Sequence, residues 1–372
     1  MNLPFTSFND VRPEVASFES YEPGLSIAEI AGRYGLSRVI KMASNENPLG
    51  VSPRVREVLE KNIGQAFRYP QSGNPRLVKA LAAFYGVDAG RVFVGNGSDE
   101  IIDLLFRVRA IPGVHNAVAF RPCFGLYPTQ AKMAGVELRQ APLKPDFSFD
   151  FPGLLKLVDE NTTLVIVTSP DNPSGRAASA DELAALAKAL PPACLLVVDE
   201  AYIEFAGPEH SLLPRLGELP NVALMRTFSK VYGLAGMRIG YAILPPAIAD
   251  YMWRVRLPFS LNILAEEAAL AALEDAGFRE DTIALVQRGR RVLTDGLRSM
   301  GCEVLPSMSN FLMFRTPEGT ADVKTLHGEL LRRGIIIRAL GGYHLPDWLR
   351  VSVGTDEENE LFLRHVREIL GA

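Results

Sequence analysis

Between residues 92 and 244 the chain repeats one pattern: a short, continuous, β-branched apolar run, then a polar or glycine-rich turn, then a helical stretch. The runs are Val92-Phe93-Val94, Ala117–Phe120, Leu164–Val167, Leu195–Val198, Val222–Arg226 and Ile239–Leu244. Each is too short for a helix and shows no polar alternation. That is the pattern of strands covered on both faces, as in a mainly parallel sheet. Helical patterns over 98–109 and 127–134 fill the connections, and Ser179-Ala180-Asp181-Glu182 reads as a capping box opening a helix to Leu190. Pro191-Pro192 stops that helix. Such a sheet binds its ligands beyond the carboxyl ends of its strands, so the residues just after each run carry the functional argument.

The last third changes character. Helical patterns at 263–273 and 279–300 precede a strand at Phe311–Phe314, a helix at 321–333, strands at Ile335–Arg338 and Leu349–Val353, and a final helix at 357–370. This predicts a smaller α+β unit. A length of 372 residues allows two or three domains at about 150 residues each. Lys and Arg number 39 and Asp and Glu 43, for a net charge of −4. A chain that coats nucleic acid or an anionic membrane is normally basic, so no nucleic-acid or membrane partner is expected and any anion must be held locally. The three cysteines, Cys123, Cys194 and Cys302, are scattered and form no C-x-x-C pair, which predicts buried thiols in a reducing compartment. The first residues show neither a basic nor an apolar targeting region, so a cytoplasmic protein is expected. No cluster suggests a metal.

Four strand ends are rich in chemistry. Leu195–Val198 runs into Asp199-Glu200-Ala201-Tyr202. An acid pair there could hold Mg²⁺ in a nucleotide site, but no Gly-Lys dipeptide exists to make the phosphate loop. It could also be a solvated pair at a strand end. Gly95-Asn96-Gly97 lacks the third glycine of a dinucleotide fingerprint. Val222–Arg226 leads to Thr227-Phe228-Ser229-Lys230, with Arg238 eight residues later. A lysine ending a buried strand is desolvated and becomes a nucleophile toward aldehydes; the hydroxyls and the arginine suit a phosphate. Gly97-Ser98-Asp99 opens a helix whose free N–H groups suit the same anion. Ser169–Gly175, after Leu164–Val167, sets Asn172 at the fourth strand end. A carrier lysine, a phosphate cup, an acid for a pyridinium nitrogen and an Asn/Tyr pair for a phenolic oxygen are together what pyridoxal 5′-phosphate (PLP) needs.

These segments, with Ala43-Ser44-Asn45-Glu46-Asn47-Pro48-Leu49-Gly50, Arg68-Tyr69-Pro70 and the stretch from Leu349 to Thr355, resemble the class I/II aminotransferases, PLP enzymes of fold type I. Within them the chain is most similar to the branch acting on histidinol phosphate. The resemblance implies an α/β fold: a large domain (43–262) with a mainly parallel seven-stranded sheet flanked by helices, and a smaller α+β domain (1–42 and 263–372). It implies that Lys230 carries the cofactor and later shuttles a proton. Asp199 would keep the ring nitrogen protonated, and Asn172 and Tyr202 would bond the phenolic oxygen. Ser98, Asp99, Thr227, Ser229 and Arg238 would form the phosphate cup, and Phe124 would stack on the ring. Tyr69 would reach the phosphate of a neighbouring subunit, making a homodimer the working unit. Arg350 and Arg338 would receive acid groups of the substrate, and Tyr21 and Asn47 are counted with the substrate-binding residues.

Two departures from the family pattern stand out. Pro122-Cys123-Phe124 replaces Pro-Thr-Tyr, so the stacking ring loses its hydroxyl, and the 169–175 loop begins with Ser instead of Asn. The implied reaction is transamination of L-histidinol phosphate with 2-oxoglutarate, giving imidazole acetol phosphate and glutamate. An aromatic amino-acid aminotransferase is the alternative, with a threonine-phosphate decarboxylase third. A degenerate, non-catalytic relative should have lost Lys230 or Asp199, and both are present.

Overall fold

The six apolar runs fold as strands of one seven-stranded sheet in the computed structural model, which describes residues 7–18 and 26–372. Its strands are β1 (Val92–Asn96), β2 (Asn116–Arg121), β3 (Glu137–Pro142), β4 (Thr162–Thr168), β5 (Leu195–Asp199), β6 (Val222–Thr227) and β7 (Ile239–Ile243). Their spatial order is β1-β7-β6-β5-β4-β2-β3. Neighbours among β6, β5, β4, β2 and β3 pair in parallel, while β7 runs antiparallel between β6 and β1. The exception has a cause in chain length. Only residues 228–238 separate β6 from β7, too few for a crossover helix, so the chain turns straight back.

β4 is buried along its whole length. Val165 and Val167 join the core on one side of the sheet with Val118, Leu196 and Val198; Leu164 and Ile166 join the core on the other with Ala117, Leu195 and Val197. Alternate residues thus serve opposite faces, as a doubly covered strand requires. β3 was not evident in the sequence. Its segment ELRQAP is polar because it is an edge strand, with only Ala141 buried. The capping box at Ser179 is present, with Ser179 accepting from the Glu182 N–H and Glu182 reaching back, and the helix spans Ala180–Ala189.

A second, four-stranded sheet holds β8 (Glu303–Val304), β9 (Phe311–Arg315), β10 (Arg338–Ala339) and β11 (Leu349–Ser352), in the order β10-β11-β9-β8, all antiparallel. The single strand expected over Ile335–Arg338 is in fact two. Ile335–Ile336 pairs in parallel with Ile40–Lys41, and after Ile337 the chain crosses to pair as β10 with β11. The apolar run was real, but its two ends serve different sheets. Among the further helices are Ile27–Tyr34, Pro53–Asn62, Pro75–Tyr85 and Pro246–Val255.

Candidate active site

The ends of β1, β2, β4, β5 and β6, with the start of β7, converge on one cleft of about 330 Å³. Its lining includes Ser98, Asp99, Phe124, Asn172, Asp199, Tyr202, Thr227, Ser229, Lys230, Arg238, Arg338 and Arg350. Twelve residues singled out from the sequence therefore meet in space, although they span positions 98 to 350.

Lys230 follows β6 at the floor of the cleft. Its Nζ donates to Ser44 O (3.3 Å) and lies 5.6 Å from the centre of the Tyr202 ring. Burial, aided by the positive charges of Arg350 and Arg238, lowers its pKa to about 8, against the opposing pull of Glu46 and Asp99. The turn carrying it is held from behind. Gly233 has φ +69°, and a Cβ there would stand 2.0 Å from Gly50 O, so only glycine lets the two loops touch.

Asp199 ends β5 and is 4% exposed. Burial raises its pKa to about 6, although the Tyr127 hydroxyl and the Ala201 N–H stabilise its charge. Tyr127 Oη donates to Asp199 Oδ2 at 2.7 Å and is also 2.7 Å from Thr168 Oγ1. A buried, hydrogen-bonded carboxylate with a raised pKa is suited to a cationic partner in the cleft. Phe124 sets its ring edge-on to Tyr127 (5.7 Å, 87°). Phe124 lies just before the helix Leu126–Met133 that carries Tyr127, and Tyr127 N–H donates to Phe124 O (3.1 Å).

The anion end of the cleft is built at a helix start. The helix Gly97–Arg109 begins directly after β1, and Arg238 pairs with Asp99 (3.1 Å). Gly97 has φ +77°, and a Cβ there would lie 2.6 Å from Arg238 Nη2. Thr227 Oγ1 donates to Ser229 Oγ (2.9 Å) and accepts from the Ser229 N–H (3.0 Å), which turns both hydroxyls toward the same space. Helix N–H groups, two hydroxyls and a guanidinium make an anion cradle.

On the other wall, Arg338 and Arg350 are direct cross-strand partners in β10 and β11. Arg350 is buried; it donates to Asn172 Oδ1 and to Ala43 O (2.8 Å), while its Nε has no partner. Two like charges opposed across a strand pair repel, and an anion between them relieves that.

Three expected residues are not among those lining the cleft. Tyr21 falls outside the described residues. Asn47 does not line the cleft. Its amide donates to Val231 O (2.9 Å) and Thr282 Oγ1 (3.1 Å), bracing the Lys230 turn from outside. Tyr69 is 80% exposed and stacks on Phe259 (4.9 Å), away from this chain's own cleft. The acid pair is also not solvated: Glu200 is wholly buried and bonded to Arg226 (2.7 Å) and Ser211 (2.8 Å). Asn45 and Ser44 also line the cleft; in the sequence they stand out only as part of the 43–50 segment. Among the described residues no group of three or more His, Cys, Asp or Glu side chains could hold a metal ion, and no helix is long and apolar enough to cross a membrane.

Comparison with known proteins matches residues 37–366 to the family model for aminotransferase class I and II. The histidinol-phosphate aminotransferase of Nitratidesulfovibrio vulgaris is 58% identical over 364 residues, covering 97% of both chains. That of Oleidesulfovibrio alaskensis is 55% identical, covering 97% of this chain and 95% of the relative. The crystal structure of histidinol-phosphate aminotransferase from Sinorhizobium meliloti, solved with pyridoxal-5′-phosphate, superposes with a TM-score of 0.89 at 28% identity, over 98% of this chain and 99% of that one.

Proposed function

This chain belongs to the aminotransferase class I and II family, and on that premise we propose that it transfers the amino group of L-histidinol phosphate to 2-oxoglutarate. The products are imidazole acetol phosphate and L-glutamate, a step of histidine biosynthesis. The observation that carries the substrate is the 58% identity, end to end, with a relative of that activity. The opposed Arg338 and Arg350 agree with it, since both amino donor and acceptor are anions.

PLP fits the cleft by the chemistry of its donor set: an anion cradle at one end, a buried acid with a raised pKa at the other, and a lysine of lowered pKa between. When bound, PLP supplies an aldehyde that takes up the amino group and a conjugated ring that accepts the electron pair released when Cα loses its proton. Ser98, Thr227, Ser229 and Arg238 would bind its phosphate, with Asp99 orienting Arg238. Asp199, steered by Tyr127, would hold the ring nitrogen protonated, and Phe124 would cover the ring face. Asn172 and Tyr202 would hold the phenolic oxygen. Lys230 Nζ would carry the group covalently. Once freed by the incoming amine, it would take the proton from Cα, which a pKa near 8 suits. Arg350 and Arg338 would fix the substrate's acid group.

The working unit in this reading is a homodimer in the cytoplasm. Supporting it, Ile63, Phe67, Tyr69 and Leu257 are 61–80% exposed and Tyr69 stacks on Phe259, two residues from Leu257, exposed apolar surface that a partner would cover, and all three cysteines are free thiols. A large domain over 43–262 and a small one formed by 1–42 and 263–372 belong to the same proposal. Glutamate formation from histidinol phosphate and 2-oxoglutarate is the expected assay result, abolished by Lys230→Ala. Full turnover by that variant overturns the reading.

A further inference from the structure

Asn45 has a left-handed backbone (φ 56°), a conformation its short polar side chain tolerates. Asn310 Nδ2 holds its carbonyl at 3.0 Å. The Asn45 N–H donates to Ser352 Oγ (2.9 Å), and the Ser352 hydroxyl donates back to Asn45 Oδ1 (2.9 Å). Ser352 Oγ makes no other hydrogen bond among the described residues, so its one proton goes to Asn45 Oδ1 and the amide NH₂ points away from Ser352. That NH₂ meets Tyr202 Oη at 3.0 Å. Tyr202 is therefore an acceptor on its Asn45 side, and its single O–H proton is left to be donated elsewhere. Asn45, Asn310 and Ser352 are 1%, 0% and 4% exposed and Tyr202 is 4%, so no bulk water competes for the chain of bonds.

We propose that Asn45, clamped by Ser352, is a positioning residue that makes Tyr202 a hydrogen-bond donor into the cleft, toward the phenolic oxygen of bound PLP. This rests on the assignment of Tyr202 in the proposed function. The link joins β11 of the second sheet to the end of β5 in the first. It sets the sense of a bond, which a tyrosine alone does not. A donor held against an oxygen anion stabilises the anion and so lowers the proton affinity of the group conjugated to it. The charged groups facing Tyr202 are Arg350, Asp199 and Asp171; those facing Lys230 are Arg350, Arg238, Glu46 and Asp99. Ser352→Ala and Ser352→Thr leave all of them in place and add no charge; Asn45→Asp adds one carboxylate, which acts in the same direction as the redirected bond.

The test is a pH titration of the visible absorbance of PLP-loaded protein. Asn45→Asp puts an acceptor-only carboxylate against Tyr202 and draws its proton away from the cleft. Its midpoint should rise by about one pH unit, a tenfold change in proton affinity. Ser352→Ala should shift it the same way by less, and Ser352→Thr, which keeps the hydroxyl, should restore the wild-type midpoint. In a Tyr202→Phe background Ser352→Ala, which adds no charge, should add almost nothing, because the bond it redirects is gone. An equal shift in that background, or a wild-type midpoint in Ser352→Ala, overturns the proposal. A wild-type protein with no pH-dependent visible band overturns the underlying assignment instead, and the proposal with it.

Discussion

Tyr127 and Asp199 share a hydrogen bond of 2.7 Å beneath the cleft, and Thr168 holds the same hydroxyl at 2.7 Å from its other side. The bond keeps charge on a carboxylate that burial would otherwise neutralise. A buried hydrogen bond to a charged group contributes about 1.5–3 kcal/mol. Tyr127→Phe should therefore raise the pKa of Asp199 further and weaken PLP binding about tenfold or more, measured by titration of the unloaded protein with PLP. Asp199→Asn should weaken it more. Unchanged affinity in Tyr127→Phe contradicts the role given to that phenol.

The lysine that makes the cleft reactive also destabilises the unloaded fold. Its pKa falls from 10.5 to about 8 on folding. Between those values the unfolded chain binds more protons, so stability rises with pH there. Below pH 8 the full penalty of about 3 kcal/mol applies, and above 10.5 it vanishes. Lys230→Met should raise the denaturation midpoint of unloaded protein at neutral pH, with the gain shrinking from pH 8 upward. A gain independent of pH contradicts this origin.

Behind the strand ends, Glu200 and Arg226 pair at 2.7 Å with both side chains buried, and Ser211 bonds the carboxylate. Each sits next to a cleft residue, Asp199 and Thr227. Removing one partner strands a buried charge, at a cost of about 3–5 kcal/mol. Glu200→Gln or Arg226→Met should lose that much in chemical denaturation. The double variant should lose less than the sum of the two.

Much of the site was legible because chemistry gathers where buried strands end. Lys230, Asp199 and Asn172 each follow an apolar run, and that placement survives in the sequence. What was not legible depends on partners far apart in the chain. Asn45 and Ser352 are 307 residues apart, and nothing local to either shows that they meet. The direction of β7 is invisible to hydropathy, although the short 228–238 connection implied it. The edge strand β3 escaped because it buries too little to need an apolar run. Glu200 resembled a solvated acid because its counter-ion lies on the next strand of the sheet, not the next turn of the chain.

Subunit mixing tests Tyr69. In a dimer whose sites each need Lys230 from one chain and Tyr69 from the other, Tyr69→Ala and Lys230→Ala homodimers should both be impaired. Equal mixing with subunit exchange makes half the dimers hybrids with one intact site, restoring about a quarter of wild-type activity. Hybrids that form without any recovery show that Tyr69 does not cross between subunits.

The central claim concerns which amine this cleft accepts. The direct measurement is kcat/KM for histidinol phosphate and for phenylalanine, side by side on PLP-loaded protein with 2-oxoglutarate as acceptor. A cleft with two opposed arginines should favour the phosphorylated amine by about a hundredfold or more. Arg338→Ala should erode that preference. Better turnover of phenylalanine than of histidinol phosphate contradicts the account.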